Sequence, residues 1–70
     1  MYSPSDAILK SISALTRKYG FAPTVREIAE ASGLGLGNTH RYLEKLRESG
    51  QIEWTPRTSR TIRIVKETRS

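Results

Sequence analysis

Seventy residues, with 12 lysines and arginines against 7 acids and a net charge of +5, make one domain around a single small core. At 36% apolar and 27% charged residues the chain has the composition of a folded domain, but at this length the core supplies only roughly a few kcal/mol and leaves little room for a catalytic cleft. With no cysteine and one histidine, His40, it has no disulfide, thiolate or multi-histidine metal chemistry; without a signal-peptide pattern or the ~20-residue apolar run of a membrane span, a cytoplasmic protein with no metal, cofactor or membrane partner is expected.

The first element is a helix over residues 4–19. Ser3 stands before Pro4 as its N-cap, Asp6 adds an acid to the first turn, and Ile8, Ile12, Leu15 and Tyr19 recur at helical spacing with Leu9 beside them. Lys18 and Gly20 are stop signals. Residues 20–23 form a linker in which Phe21 is expected to pack inward. Thr24 and Glu27 then make the T-x-x-E capping box of a second helix over 25–31, with Val25, Ile28, Ala29 and Ser32 on one face and Gly33 as its C-cap. A helix of two turns hardly forms alone and must dock on a neighbour.

A third helix over 37–49 aligns Thr39, Leu43 and Leu46 on an inner face flanked by Tyr42. Asn38, Arg41 and Lys45 fall on the opposite side, and Glu44 and Glu48 also lie outward. Arg41–Glu44 and Glu44–Arg47 are spaced to pair on the surface, and Gly50 ends the helix. The period then changes to two. Ile52 and Trp54, then Ile62 and Ile64, share one side of a β-hairpin with strands over 51–55 and 60–65 and turn residues between them. Residues 66–70 read as a frayed tail. The expected fold is α+β, mainly α: one domain over 1–70, three helices followed by a two-stranded antiparallel wing, a winged helix-turn-helix.

The glycines at 33, 35 and 37 raise the question of a phosphate-cradling loop. A dinucleotide fingerprint needs G-x-G-x-x-G after a strand, but Asn38 holds the third position, a helix precedes the loop, and no Walker-type Gly-Lys-Ser/Thr is present. Nothing beside Asp6, His40 or a serine completes a catalytic constellation, so neither an enzyme nor a small-molecule substrate is expected. Two helices joined by a short glycine-containing turn instead make a helix-turn-helix, whose second helix enters the major groove of DNA. Charge points the same way. Residues 1–33 carry four bases and three acids, residues 34–70 carry eight bases and four acids, and Arg57, Arg60, Arg63 and Lys66 fall within 54–66 without an acid. Such a segment suits a polyanion, although a solvated basic edge has the same composition. Arginines at a hairpin tip can fork onto phosphate oxygens. Trp54, on an alternating apolar strand, belongs with the core rather than with stacked bases. His40, beside the outward face, meets either base, phosphate or solvent.

Pro-Thr-x-Arg-Glu-Ile-Ala-x-x-x-Gly-Leu at 23–34, Tyr-Leu-Glu-Lys-Leu-Arg-Glu-Ser-Gly-Gln-Ile-Glu-Trp at 42–54 and Arg-x-Ile-Arg-Ile at 60–64 together resemble the N-terminal DNA-binding domain of LexA-type repressors. The resemblance runs from the first helix through the wing. It implies a sequence-specific, double-stranded DNA-binding transcriptional regulator of a bacterial or phage-infected cell, with the third helix in the major groove. The family's base-reading positions fall on Gly35, Gly37, Asn38, His40 and Arg41, while Thr24, Lys45, Arg57 and Arg60 are the candidates for the DNA backbone. Asn38 suits adenine and Arg41 suits guanine, each through paired hydrogen bonds. Gly35-Leu36-Gly37 stands where the family usually has a serine or similar cap. LexA-type repressors also carry a C-terminal self-cleavage and dimerisation domain, which these 70 residues do not include, so self-cleavage is not carried over. One monomer covers a single half-site, so a homodimer or a partner protein on DNA is expected. The competing expectation is a winged helix that binds protein without reading DNA, with Leu36 as an exposed anchor.

Overall fold

A computed structural model of the chain describes residues 3–55 and 58–65. In chain order its elements are α1 (Pro4–Tyr19), α2 (Val25–Ser32), α3 (Leu36–Glu48), β1 (Ile52–Glu53) and β2 (Arg63–Ile64), the two strands pairing antiparallel. This is the mainly helical α+β, winged-helix order that the periodicity predicts.

The helix boundaries follow from local capping. Ser3 Oγ accepts from the Asp6 N–H at 3.2 Å and opens α1. At α2, Thr24 Oγ1 accepts from the Glu27 N–H at 3.1 Å while Glu27 Oε1 accepts from the Thr24 N–H at 2.9 Å, so the capping box closes. Gly33 ends α2 with φ 77°, a left-handed conformation that costs any residue with a Cβ, and its N–H donates to Ala29 O at 3.0 Å. Leu34 leaves this turn half-buried against the core. α3 starts at Leu36, one residue earlier than expected, with Gly35 as an N-cap that supplies no side-chain hydrogen bond. Thr39 is fully buried, and its hydroxyl is satisfied by donating to Gly35 O at 2.9 Å.

One core joins the three helices and the wing. Ile8 and Ile12 of α1, Ile28 of α2, and Leu43 and Leu46 of α3 meet Ile52, Trp54 and Ile62 of the wing, with Leu9, Leu15, Val25 and Tyr42 packed at the edge. β2 lies against α1 and β1 against α3, so the wing is bound to the helices by its apolar face. Trp54, 7% exposed, is a core residue.

Four expectations need correction. The strands are shorter than 51–55 and 60–65: Ile52 pairs with Ile64 and Glu53 with Arg63, one further bond runs from the Val65 N–H to Gln51 O at 3.0 Å, and toward Thr55 the ladder stops. Beyond it, Thr61 Oγ1 accepts from the Thr55 N–H at 3.0 Å and lies 3.1 Å from the Thr55 carbonyl, so a side chain takes the place of ladder bonds. Ile62 is buried, but Ile64 is 36% exposed, over a shallow groove with Ile12, Ser13 and Thr16 of α1. Phe21 is not inside: it is 53% exposed, because the left-handed Gly20 folds the linker back and its ring stacks on Tyr19 at 5.5 Å. Among the described residues Glu44 makes no ion pair with Arg41 or Arg47; all three are exposed, and a pair at the surface is worth little. The expected roles of Arg57, Lys66 and the tail fall outside the described residues.

Candidate nucleic-acid interface

With 3.6 residues per turn, α3 cannot bury Thr39, Leu43 and Leu46 without turning Gly37, Arg41, Glu44 and Glu48 to its outer crown, and all four are exposed. On one flank of that crown Asn38, Arg41, Tyr42 and Lys45 line a groove of about 240 Å³. On the other flank Thr24, Val25 and Arg26 at the start of α2, Leu36 and His40 of α3, and Thr58, Ser59 and Arg60 of the wing surround a groove of about 370 Å³ that Trp54 and Ile62 also line. The expected base-reading residues are therefore divided. Asn38 and Arg41 stand together with Lys45, whereas His40 faces the wing. Gly35 and Gly37 are exposed, and a Cβ built on either meets nothing within 4 Å, so the start of α3 presents bare backbone.

His40 is held rather than loose. Its ring lies 5.5 Å from Trp54 at 54°, and the Arg47 guanidinium lies 5.8 Å from the centre of the same indole. Lys45 is exposed at its groove. Thr24 lines the larger groove, with its hydroxyl engaged in the α2 cap. Arg60 is also engaged: Nη1 donates to Ala22 O at 3.0 Å and to Glu27 Oε1 at 3.2 Å, and Nη2 donates to Glu27 Oε2 at 3.2 Å. The hydrogen bond from the Thr24 N–H, and after it the Arg60 guanidinium, hold the Glu27 carboxyl below its ordinary 4.5.

The larger groove also brings in residues that sequence reasoning did not single out. Arg26 lines it from the first turn of α2, and Thr58 and Ser59 from the wing. The arginine of the Pro-Thr-x-Arg-Glu segment was the available signal for Arg26; hydroxyls in a turn carry no comparable signal.

A protein-family model, the LexA DNA-binding domain, matches residues 5–61. The chain belongs to the LexA DNA-binding domain family. It is 37% identical over 67 residues to the LexA repressor of Magnetococcus marinus, covering 96% of this chain and 29% of that protein. Against the LexA repressor of Staphylococcus epidermidis it is 42% identical over 57 residues, covering 80% and 28%. Against that of Bacillus subtilis it is 41% identical over 61 residues, covering 86% and 30%. The chain thus spans under a third of the length of these curated relatives. Within the LexA family match lie both helices of the helix-turn-helix, the smaller groove, every lining residue of the larger groove except Ile62, and the Arg60–Glu27 contact.

Proposed function

We propose that this chain is a sequence-specific, double-stranded DNA-binding transcriptional repressor and not an enzyme, with α3 in the major groove and the wing against the backbone. One observation carries the reading: Asn38, Arg41 and Lys45 share a groove on the face of α3 turned away from the core. An amide and a guanidinium, each able to make two hydrogen bonds in one plane, suit the edges of adenine and guanine. A lysine one turn beyond suits a phosphate. Gly35 and Gly37 let the backbone come close to the bases, and His40 meets the DNA on the wing side. Lys45, Arg57 and Thr24 take the backbone, joined by Arg26. Arg60 is bound to Glu27 and does not join them. Two copies, or one copy beside a partner protein, supply the affinity that one half-site module lacks. The setting is the cytoplasm of a bacterial or phage-infected cell.

Selection of duplexes from a randomised pool, followed by anisotropy titrations at several salt concentrations, tests the proposal. A recovered consensus, bound more tightly than random duplex, is the expected result; a palindromic consensus would also report a dimer. Equal retention of every sequence removes the reading role. No retention even at low salt moves the function to protein binding, for which Leu36, 46% exposed beside the larger groove, is the anchor.

A further inference from the structure

We propose that Arg60 is a positioning residue, which through Glu27 holds the wing at the angle where it meets DNA; the inference rests on the DNA-binding reading above. Among the described residues Arg60 alone, apart from glycines, has a positive φ, 57°. A left-handed backbone is unfavourable for an arginine. Here it sends the side chain back across the molecule to residues 33 and 38 positions earlier, where both carboxylate oxygens of Glu27 and the carbonyl of Ala22 accept from it. The guanidinium also lies 4.8 Å over the Phe21 ring, which is itself stacked on Tyr19. The wing is thereby tied to the end of α1, the linker and the first turn of α2 at one point.

What the tie controls is visible in the larger groove. Thr58 and Ser59, which immediately precede Arg60, face Leu36 and His40 of α3 across it. Beyond the two-residue strands this portion of the hairpin is closed on itself, through the Thr61 hydroxyl and by the Thr58 N–H donating to Thr55 O at 3.2 Å, and none of these bonds reaches the helices. Releasing Arg60 therefore frees Thr58 and Ser59, beyond the wing residues Trp54 and Ile62 that the core holds, to shift relative to α3. The paired charge also argues against a phosphate contact: a guanidinium bidentate on a carboxylate presents little net charge, and a phosphate would have to displace Glu27. Glu27 serves both the α2 cap and the tie, so the placement of the wing is referenced to the helix-turn-helix itself.

The test uses the 70-residue chain, a duplex it selects from a random pool, and a random duplex. Glu27→Gln keeps a side chain able to cap α2 but removes the charge that holds Arg60. Arg60→Gly keeps the left-handed backbone easy and removes the guanidinium. Well below the melting transition, each variant should bind the selected duplex about tenfold more weakly, with an unchanged salt slope, and the double variant should be no worse than either single one. The overturning result is specific: tighter binding by Glu27→Gln, with the salt slope lowered by about one in Arg60→Gly, makes Arg60 a phosphate contact. Wild-type affinity in both, with only the melting temperature lowered, makes the pair purely stabilising and also overturns the proposal. Residual dipolar couplings of Thr58 and Ser59 against α2 and α3, measured without DNA, report the placement of this part of the wing directly. Unchanged couplings in both variants overturn the tie. Failure of the unaltered chain to bind any duplex overturns the proposal that rests on DNA binding, while altered couplings in that case still register the contact as a wing tie.

Discussion

Arg41 and Lys45 line the same groove, yet their charges can do different things. A guanidinium on a guanine edge discriminates between bases; an ammonium on a phosphate does not. Arg41→Ala is expected to cost about 1–3 kcal/mol on the preferred duplex and to relax preference at one base position. Lys45→Ala should weaken every duplex alike and lower the salt slope by about one. Competition with single-base variants of the duplex separates the two, and a uniform loss for Arg41→Ala would move that residue to the backbone. Glu27 carries a pH prediction. Its folded carboxyl titrates below its ordinary 4.5, so the stability it contributes is complete above that value and is lost as pH falls through the lower folded pKa. Thermal melts of the chain and of Glu27→Gln should differ at neutral pH and converge in acid; a gap that persists at low pH contradicts the assignment.

At the scale of elements, Gly33 in the turn between α2 and α3 and Gly37 in the first turn of α3 have opposite physical roles. Gly33 has φ 77°, so Gly33→Ala strains the turn and is expected to destabilise the fold by about 1 kcal/mol. Gly37 lies inside α3, with open space where a Cβ would stand. Gly37→Ala should therefore stabilise the helix by about 0.5–1 kcal/mol. If Gly37 is there to let the backbone approach bases, the same change weakens binding to the selected duplex. Urea midpoints and duplex titrations on the two variants check both halves; a more stable Gly37→Ala protein with full affinity would take Gly37 out of the interface.

For the whole molecule, the small core sets the tolerance. Leu43 is fully buried, at the junction of the helices and the wing. Leu43→Ala is expected to cost about 2–5 kcal/mol, comparable to everything a single core of this size supplies. The variant should lose its cooperative melt in far-UV circular dichroism and recover part of it when duplex DNA is added, since a ligand of the folded state shifts the balance back. A cooperative melt at the original temperature would mean that the wing and helices are stabilised independently of this junction.

Much of the fold was legible in the sequence because its determinants are local. The Ser3 cap, the Thr24–Glu27 box, the left-handed Gly33 and the inner face of Thr39, Leu43 and Leu46 all act within a turn or two of chain, and spacing alone reveals them. The same period indicated that Asn38, Arg41 and Lys45 share a face, and they line one groove. Where His40 points, why Phe21 lies at the surface and how short the strands are depend on elements that meet only after folding. So does the partnership of Arg60 with Glu27, 33 residues apart. Local hydrogen-bonding and periodicity act along the chain and can be read from it; the direction of an exposed side chain is decided by whichever distant group offers it a charge, a ring or a carbonyl, and only the tertiary structure brings that group into reach.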